Sequence, residues 1–312
     1  MRWIHLHRVT VGMCVRNSEG TVRAAINSVV DQDFPSKDVE IIIVDGNSRD
    51  KTVDIINDVI SRTKINASVF SDKGEGLGAA RQMVVDNARG DYIVWVDSDV
   101  ILAEGFLRRQ LEFMEENPSV GMARGESEYI ESGKGLSADL QDLFFNVARA
   151  GAVYMGATIC RTKALRESNG FDTRIRGAAE DVDLKIRMLS KGWKTAVNNE
   201  VKFRHVSRET LRDVFREYSW YGYGDHFVNH KHEGFVDIVN RIPPTYFGWG
   251  LKVARKAYHQ FHVKKSFLMP LLCVFMSVGW CIGFVKSHFE GYGHSIRKGK
   301  TRLPPNSTSK KQ

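Results

Sequence analysis

Cysteine is scarce in this chain. The four present (Cys14, Cys160, Cys273 and Cys281) fall at no metal-ligand or redox spacing. No disulfide framework is implied, and a reducing compartment is the expected home. Residues 1–8 lack the apolar region of a signal peptide, so the catalytic part is expected to stay unsecreted, on the cytoplasmic side. Internal repeats are absent. Uniform basic charge is absent too. Residues 1–200 carry a net −4 and residues 201–312 a net +12. A chain basic throughout would suggest nucleic acid. An acidic front with a basic back suggests a soluble unit attached to an anionic membrane surface.

What is present begins with residues 90–99, Gly-Asp-Tyr-Ile-Val-Trp-Val-Asp-Ser-Asp. A short apolar run ending in two acids reads as a buried strand of a parallel sheet. Strand alternation puts Asp97 and Asp99 on one face at the carboxyl end, where open α/β sheets bind ligands. Two hard oxygen donors there suit Mg²⁺ or Mn²⁺ carrying phosphate.

The chain around this run alternates strands and helices. Strands are expected at Val9–Val15, Val39–Asp45 and Ala67–Ser71, the second ending in Asp45 and the third followed by Asp72. A glycine-rich loop, residues 73–81, leads into a helix ending near Asn87. This is an α/β pattern: a mostly parallel sheet covered on both faces. Right-handed crossovers bring Asp45, Asp72, Asp97 and Asp99 to one rim. Further strands are expected at Val120–Ile130 and Ala152–Cys160, with helices at Gly105–Asn117 and Ser137–Arg149. A last helix opens with Glu180-Asp181.

The character changes beyond residue 206. The expected units are a catalytic domain (1–206), an amphipathic and aromatic helical extension (207–263), an apolar helix (264–286) and a basic disordered tail (287–312). Phe267 to Val285 is 19 residues without a charge. As a helix it measures about 28 Å, marginal for a span, and an in-plane helix keeps both basic flanks on one side. Gly279 and Gly283 form G-x-x-x-G, a weak dimerisation signal. His226 and His230 have i, i+4 spacing near Asp225 and His232. No cysteine accompanies them, so a solvated, membrane-near segment is the preferred reading over a metal site.

Taken together, the motifs resemble family 2 glycosyltransferases of the GT-A fold. They are Asn17-Ser18-Glu19, Asn27 to Gln32, Ile43 to Thr52, Gly76 to Arg81, Asp97-Ser98-Asp99, Gly170-Phe171-Asp172 and Glu180-Asp181. The similarity covers residues 8–205. Where many members have two consecutive aspartates, this chain has Asp45-Gly46. The resemblance implies a UDP- or GDP-sugar donor, inversion, and a lipid-linked or glycan acceptor in cell-envelope synthesis. It implies a divalent cation on Asp97, Asp99 and His205, and donor contacts from Asn17, Glu19, Asp45, Asp72, Arg81 and Asp97. Asp181 would be the general base with Glu180 orienting the acceptor.

Two alternatives are weighed. A dinucleotide-dependent oxidoreductase fails on placement, because the glycine loop follows the third strand and not the first. A non-catalytic nucleotide-sugar scaffold is disfavoured by the intact Asp97, Asp99 and Asp181.

Overall fold

The protein's structure, a computed structural model, describes residues 9–129, 135–232 and 237–294. Expectations resting on residues 1–8, on Ile130 and on the tail from residue 295 fall outside them.

The first half builds strands β1 (Val9–Val15), β2 (Val39–Asp45), β3 (Asn66–Ser71) and β4 (Tyr92–Trp95). Helices α1 (Val22–Val30), α2 (Thr52–Ile60) and α3 (Leu77–Asn87) connect them. The four strands pair in parallel in the order β3-β2-β1-β4. The period of two decides which core each residue enters. Ile41 and Ile43 face one core with α1 and α2, while Ile42 and Val44 face the other with α3.

Beyond β4 the sheet becomes mixed. It adds β5 (Val100–Leu102), β6 (Val120–Ser127), β7 (Thr158–Arg161) and β8 (Lys194–His205), in the order β4-β7-β6-β8-β5. Strand β7 runs antiparallel to β4 and β6, and β5 antiparallel to β8. Helices α4 (Phe106–Glu116), α5 (Leu136–Ala148), α6 (Thr162–Glu167) and α7 (Glu180–Ser190) complete this half. Two strand expectations change. Residues 152–157 are irregular and β7 starts only at Thr158, after Gly156 and Ala157 at positive φ. Strand β4 stops at Trp95, so Asp97 and Asp99 lie in a turn, where Val100 N donates to Asp97 O at 3.0 Å. Strand alternation therefore does not govern them.

Three long helices form the C-terminal part: α8 (Leu211–Lys231), α9 (Pro243–Phe261) and α10 (Met269–Phe289). They share a core with α5 through Leu143, Phe144, Val214, Val253, Leu272 and Met276. Lys264–Phe289 is the one stretch of the described residues long and apolar enough to cross a membrane, and half of its most apolar part is covered by protein. Gly279 and Gly283 face α8, not a second copy. A Cβ on Gly283 would lie 1.8 Å from Ser219 O, and one on Gly222 of α8 would lie 1.9 Å from Trp280 O. The G-x-x-x-G is spent on close backbone packing within the chain.

Candidate active site

A cleft of about 1170 Å³ opens at the carboxyl ends of β1 and β2 and extends to α8 and α9. Asp72, Arg81, Asp97, Asp99, Glu180, Asp181 and His205 line it together. Asn17, Glu19 and Asp45 are not among the lining residues. Asn17 Oδ1 accepts from Arg49 N at 2.9 Å, and Glu19 Oε2 accepts from Lys51 N at 3.1 Å. Both fasten the loop after β1 to the loop after β2. Asp45 is buried and accepts from Ser48 N at 3.1 Å, fixing the turn that Gly46 begins.

The turn after β4 sends its two acids to different partners. Asp97 Oδ1 meets Arg81 Nη2 at 3.3 Å. More than a third of the Asp97 side-chain surface is open, but it opens into the cleft and not onto free solvent. Burial there pushes its carboxyl up, against the pull of Arg81. Gly156 makes room for it: a Cβ at this position, where φ is +89°, would stand 2.7 Å from Asp97 Oδ2. Asp99 Oδ2 lies 3.6 Å from His205 Nε2, at the end of β8, and 3.2 Å from Arg208 Nη2. Arg208 also approaches Glu217 of α8 at 3.6 Å. The His205 ring leans on Phe145, with centroids 4.8 Å apart.

Arg81 is buried beneath the cleft floor. Its Nε lies 3.1 Å from Glu180 Oε1, an ion pair by distance that is off the hydrogen-bond direction. Its Nη1 has no hydrogen-bond partner among the described residues. Trp95 and Phe171 flank its guanidinium at 5.5 and 5.9 Å. Burial pushes the Glu180 carboxyl up to about 8, opposed by Arg81 and reinforced by Asp181. Glu180 and Arg81 thus form a buried pair under Asp97.

Asp181 stands in the first turn of α7, just after Ala179, which has φ 73°. Its Oδ2 accepts from Met155 N at 3.1 Å and its Oδ1 from Val182 N at 2.8 Å. These donors fix the carboxylate at the cleft wall. Asp183 turns away from it, into a cluster with Arg187, Lys231 and His232.

The glycine loop enters α3 beneath residues 172–176. Leu77 N donates to Arg176 O and Gly78 N to Ile175 O, so these amides are already occupied. Gly76 and Gly78 are needed because residues 172–176 pack on them. A Cβ at Gly78 would meet Asp172 O at 2.5 Å. Asp72 is buried and accepts from Gly74 N at 2.7 Å and Gly76 N at 3.0 Å, bracing the same loop.

Two family models match this chain, one described as glycosyl transferase family 2 over residues 10–150, the other as glycosyl transferase family group 2 over residues 92–289. The chain belongs to glycosyltransferase family 2. An uncharacterized glycosyltransferase of Haemophilus influenzae is 35% identical over 109 residues, which are 35% of this chain and 43% of that protein. Poly(ribitol-phosphate) beta-glucosyltransferase of Bacillus spizizenii is 35% identical over 121 residues, 36% of this chain and 18% of that protein. The chain therefore spans less than half the length of these relatives. A mannosyltransferase of Pyrobaculum calidifontis, solved in complex with GDP-Man and Mn²⁺, superimposes with a TM-score of 0.62 at 15% identity. That match covers 91% of this chain and 88% of the other. At this identity the likeness speaks for the GT-A fold.

As a family 2 glycosyltransferase, the chain carries cleft residues that pattern reading passed over. Arg149, Tyr154, Arg176, Lys185, Arg208 and Trp249 all line it. Arg208 had a signal, a cation three residues past His205. The others, at the end of α5, in the loops at 152–157 and 172–179, on α7 and on α9, become neighbours only through the fold.

Proposed function

We propose that this family 2 glycosyltransferase moves a sugar, with inversion, from a UDP- or GDP-sugar to an acceptor hydroxyl or lipid phosphate in cell-envelope glycan or glycolipid synthesis. One observation carries the reading: Asp97, Asp99 and Asp181 line a single cleft large enough for a nucleotide sugar and an acceptor.

The donor set suits Mg²⁺ or Mn²⁺, with two carboxylates and an imidazole at hand. Asp99 Oδ2 and His205 Nε2 are 3.6 Å apart, a separation that two ligands of one ion adopt. Asp97, Asp99 and His205 would hold the cation, which when bound neutralises charge on the departing diphosphate. Arg208 adds a fixed positive charge beside Asp99. Arg81 holds Asp97 from below, with Glu180 beside it. Asp181 takes the proton from the acceptor hydroxyl as it attacks. Trp220, Tyr221, Tyr246 and Trp249 wall the far end of the cleft, where sugar faces stack on aromatic rings.

Membrane contact by the outer face of α10 belongs to the same proposal. Leu271, Val278, Ile282, Val285 and Phe289 are exposed along one stripe of α10, and Arg255 and Lys256 are exposed on α9. Because its other face is packed on α8 and α9, α10 suits an in-plane position better than a span.

Transfer assays with a panel of UDP- and GDP-sugars and Mn²⁺ or Mg²⁺ test the enzyme reading. Asp99→Ala is expected to lose metal-dependent donor binding, and Asp181→Asn to bind donor without transferring it. A wild type that binds no nucleotide sugar refutes the proposal.

A further inference from the structure

Four histidines, three from two separate helices and one from the turn that follows, meet on the side of α8 that faces the C-terminal turn. His226 and His230 come from α8, His288 from the last turn of α10, and His294 from the turn beyond it. Their ligating nitrogens all lie within 4.8 Å of one another. We infer that this cluster binds a divalent transition-metal ion of the Zn²⁺ class, at a site separate from the cleft, and clamps the C-terminal turn onto α8.

The geometry is close to what such an ion needs. His226 Nε2 and His288 Nδ1 are 3.3 Å apart. Metal–nitrogen bonds of about 2.05 Å in a tetrahedron place neighbouring nitrogens roughly 3.3 Å apart. The wider separations in the cluster need rotation of side chains that are partly or fully exposed, namely those of His230, His288 and His294. His226 alone is buried, and it is already oriented. Its Nδ1 lies 3.1 Å from Tyr292 O. A carbonyl can only accept, so Nδ1 carries the proton and Nε2 presents its lone pair to the cluster. A backbone carbonyl on the remote nitrogen is the usual support of a metal-bound histidine.

The backbone also delivers His294 by design. Gly291 and Gly293 both take positive φ, +69° and +90°, and turn the chain back toward α8. A Cβ on Gly293 would come within 3.2 Å of Phe227 Cα and 3.6 Å of His230 Cβ. Four imidazoles with no carboxylate favour Zn²⁺, Co²⁺, Ni²⁺ or Cu²⁺ over Mg²⁺. The cleft donors, mostly carboxylate, have the opposite preference. The site stands whether or not the proposed transfer reaction is correct.

The same turn reaches the cleft. Arg176 N donates to the Tyr292 hydroxyl at 2.7 Å, and Arg176 lines the cleft. Tyr292 also stacks on Tyr223 of α8 with centroids 4.8 Å apart.

The test is Co²⁺ titration of the untagged, EDTA-treated full-length protein, followed by visible absorption and by Zn²⁺ competition. Wild type is expected to bind one Co²⁺ with intense tetrahedral bands, displaced by Zn²⁺, and to melt at higher temperature with Zn²⁺. The double variant His230→Gln/His294→Gln, at two positions outside the buried core, should keep the wild-type circular dichroism. It should lose the bands and bind Zn²⁺ at least 100-fold more weakly. Asp99→Asn should keep the bands. Absent bands in wild type, bands unchanged in the double histidine variant, or bands lost in Asp99→Asn would each overturn the assignment.

Discussion

Strands β1–β4 and helices α8–α10 hold their neighbours in different ways. In the sheet, alternate side chains of one strand enter two cores, as Ile41 and Ile42 do, one covered by α1 and α2 and the other by α3 with α6 and α7. In the helical part, glycines let backbones touch, as Gly283 does against Ser219, 64 positions apart. The first arrangement tolerates exchange of one branched aliphatic for another. The second depends on the absence of atoms, and no other side chain supplies that. The cleft lies between the two, with Asp97 and Asp99 on the sheet side and its aromatic wall on the helical side.

That contrast can be broken by single substitutions. The largest effect is expected at Asp181. Asparagine there should lower transfer by about 10²–10⁴-fold with donor affinity retained, read by single-turnover kinetics and donor titration. Equal loss of donor binding would move Asp181 to the donor side of the cleft.

Next comes Asp183, which ties α7 of the sheet half to α8 of the helical half. It is fully buried, with Lys231 Nζ and His232 Nε2 each at 2.7 Å and Arg187 Nη2 at 2.6 Å. Burial raises its pKa, but the His232 hydrogen bond and the Arg187 and Lys231 charges outweigh that and hold it at about 2. Asp183→Asn should destabilise by about 3 kcal/mol in urea denaturation, since it strands buried cations. The sign with pH follows from the lowered value. The carboxylate's contribution is complete above the ordinary aspartate range near 3.8 and is lost as pH falls toward about 2. The stability difference between wild type and Asp183→Asn should therefore shrink in acid.

A smaller effect is expected at Gly283→Ala, about 1–3 kcal/mol of destabilisation by overpacking between α8 and α10. A change under half a kcal/mol would mean the two helices part freely. The smallest effect on stability belongs to the exposed stripe. Ile282→Lys with Val285→Lys should alter stability by less than about 0.5 kcal/mol. It should nevertheless abolish cosedimentation with anionic vesicles; retained cosedimentation refutes the in-plane contact. Deleting residues from 264 onward is a poor substitute, because Met269, Leu272, Cys273 and Met276 belong to the core.

The parallel half was legible because its signals are local. Val39–Asp45 reads as a strand from seven consecutive residues, and the structure gives it those bounds. Seven of the acidic, basic and imidazole side chains gathered at the cleft were named from motif order and position along the chain. What stayed hidden depends on partners far away. Nothing near Gly76 announces that residues 172–176 lie on top of it. His226 and His230 read as solvated because His288 and His294 sit about 60 residues on. His232 likewise is buried against Asp183 and not solvated. Nothing near Arg81 in the chain announces that Glu180 lies beside it.

Residues 172–179 have one more consequence. This short strap lies on the glycine loop through Ile175 and Arg176, hangs from the Tyr292 hydroxyl, and ends at Ala179, immediately before Glu180 and Asp181. Its length therefore bears on the gauge of the cleft, the gap between the two acids after β4 and Asp181 on α7. An insertion of one residue would widen that gauge without touching any side chain that performs chemistry. Related chains that differ in this stretch would be expected to accept acceptors of different girth while keeping the same donor.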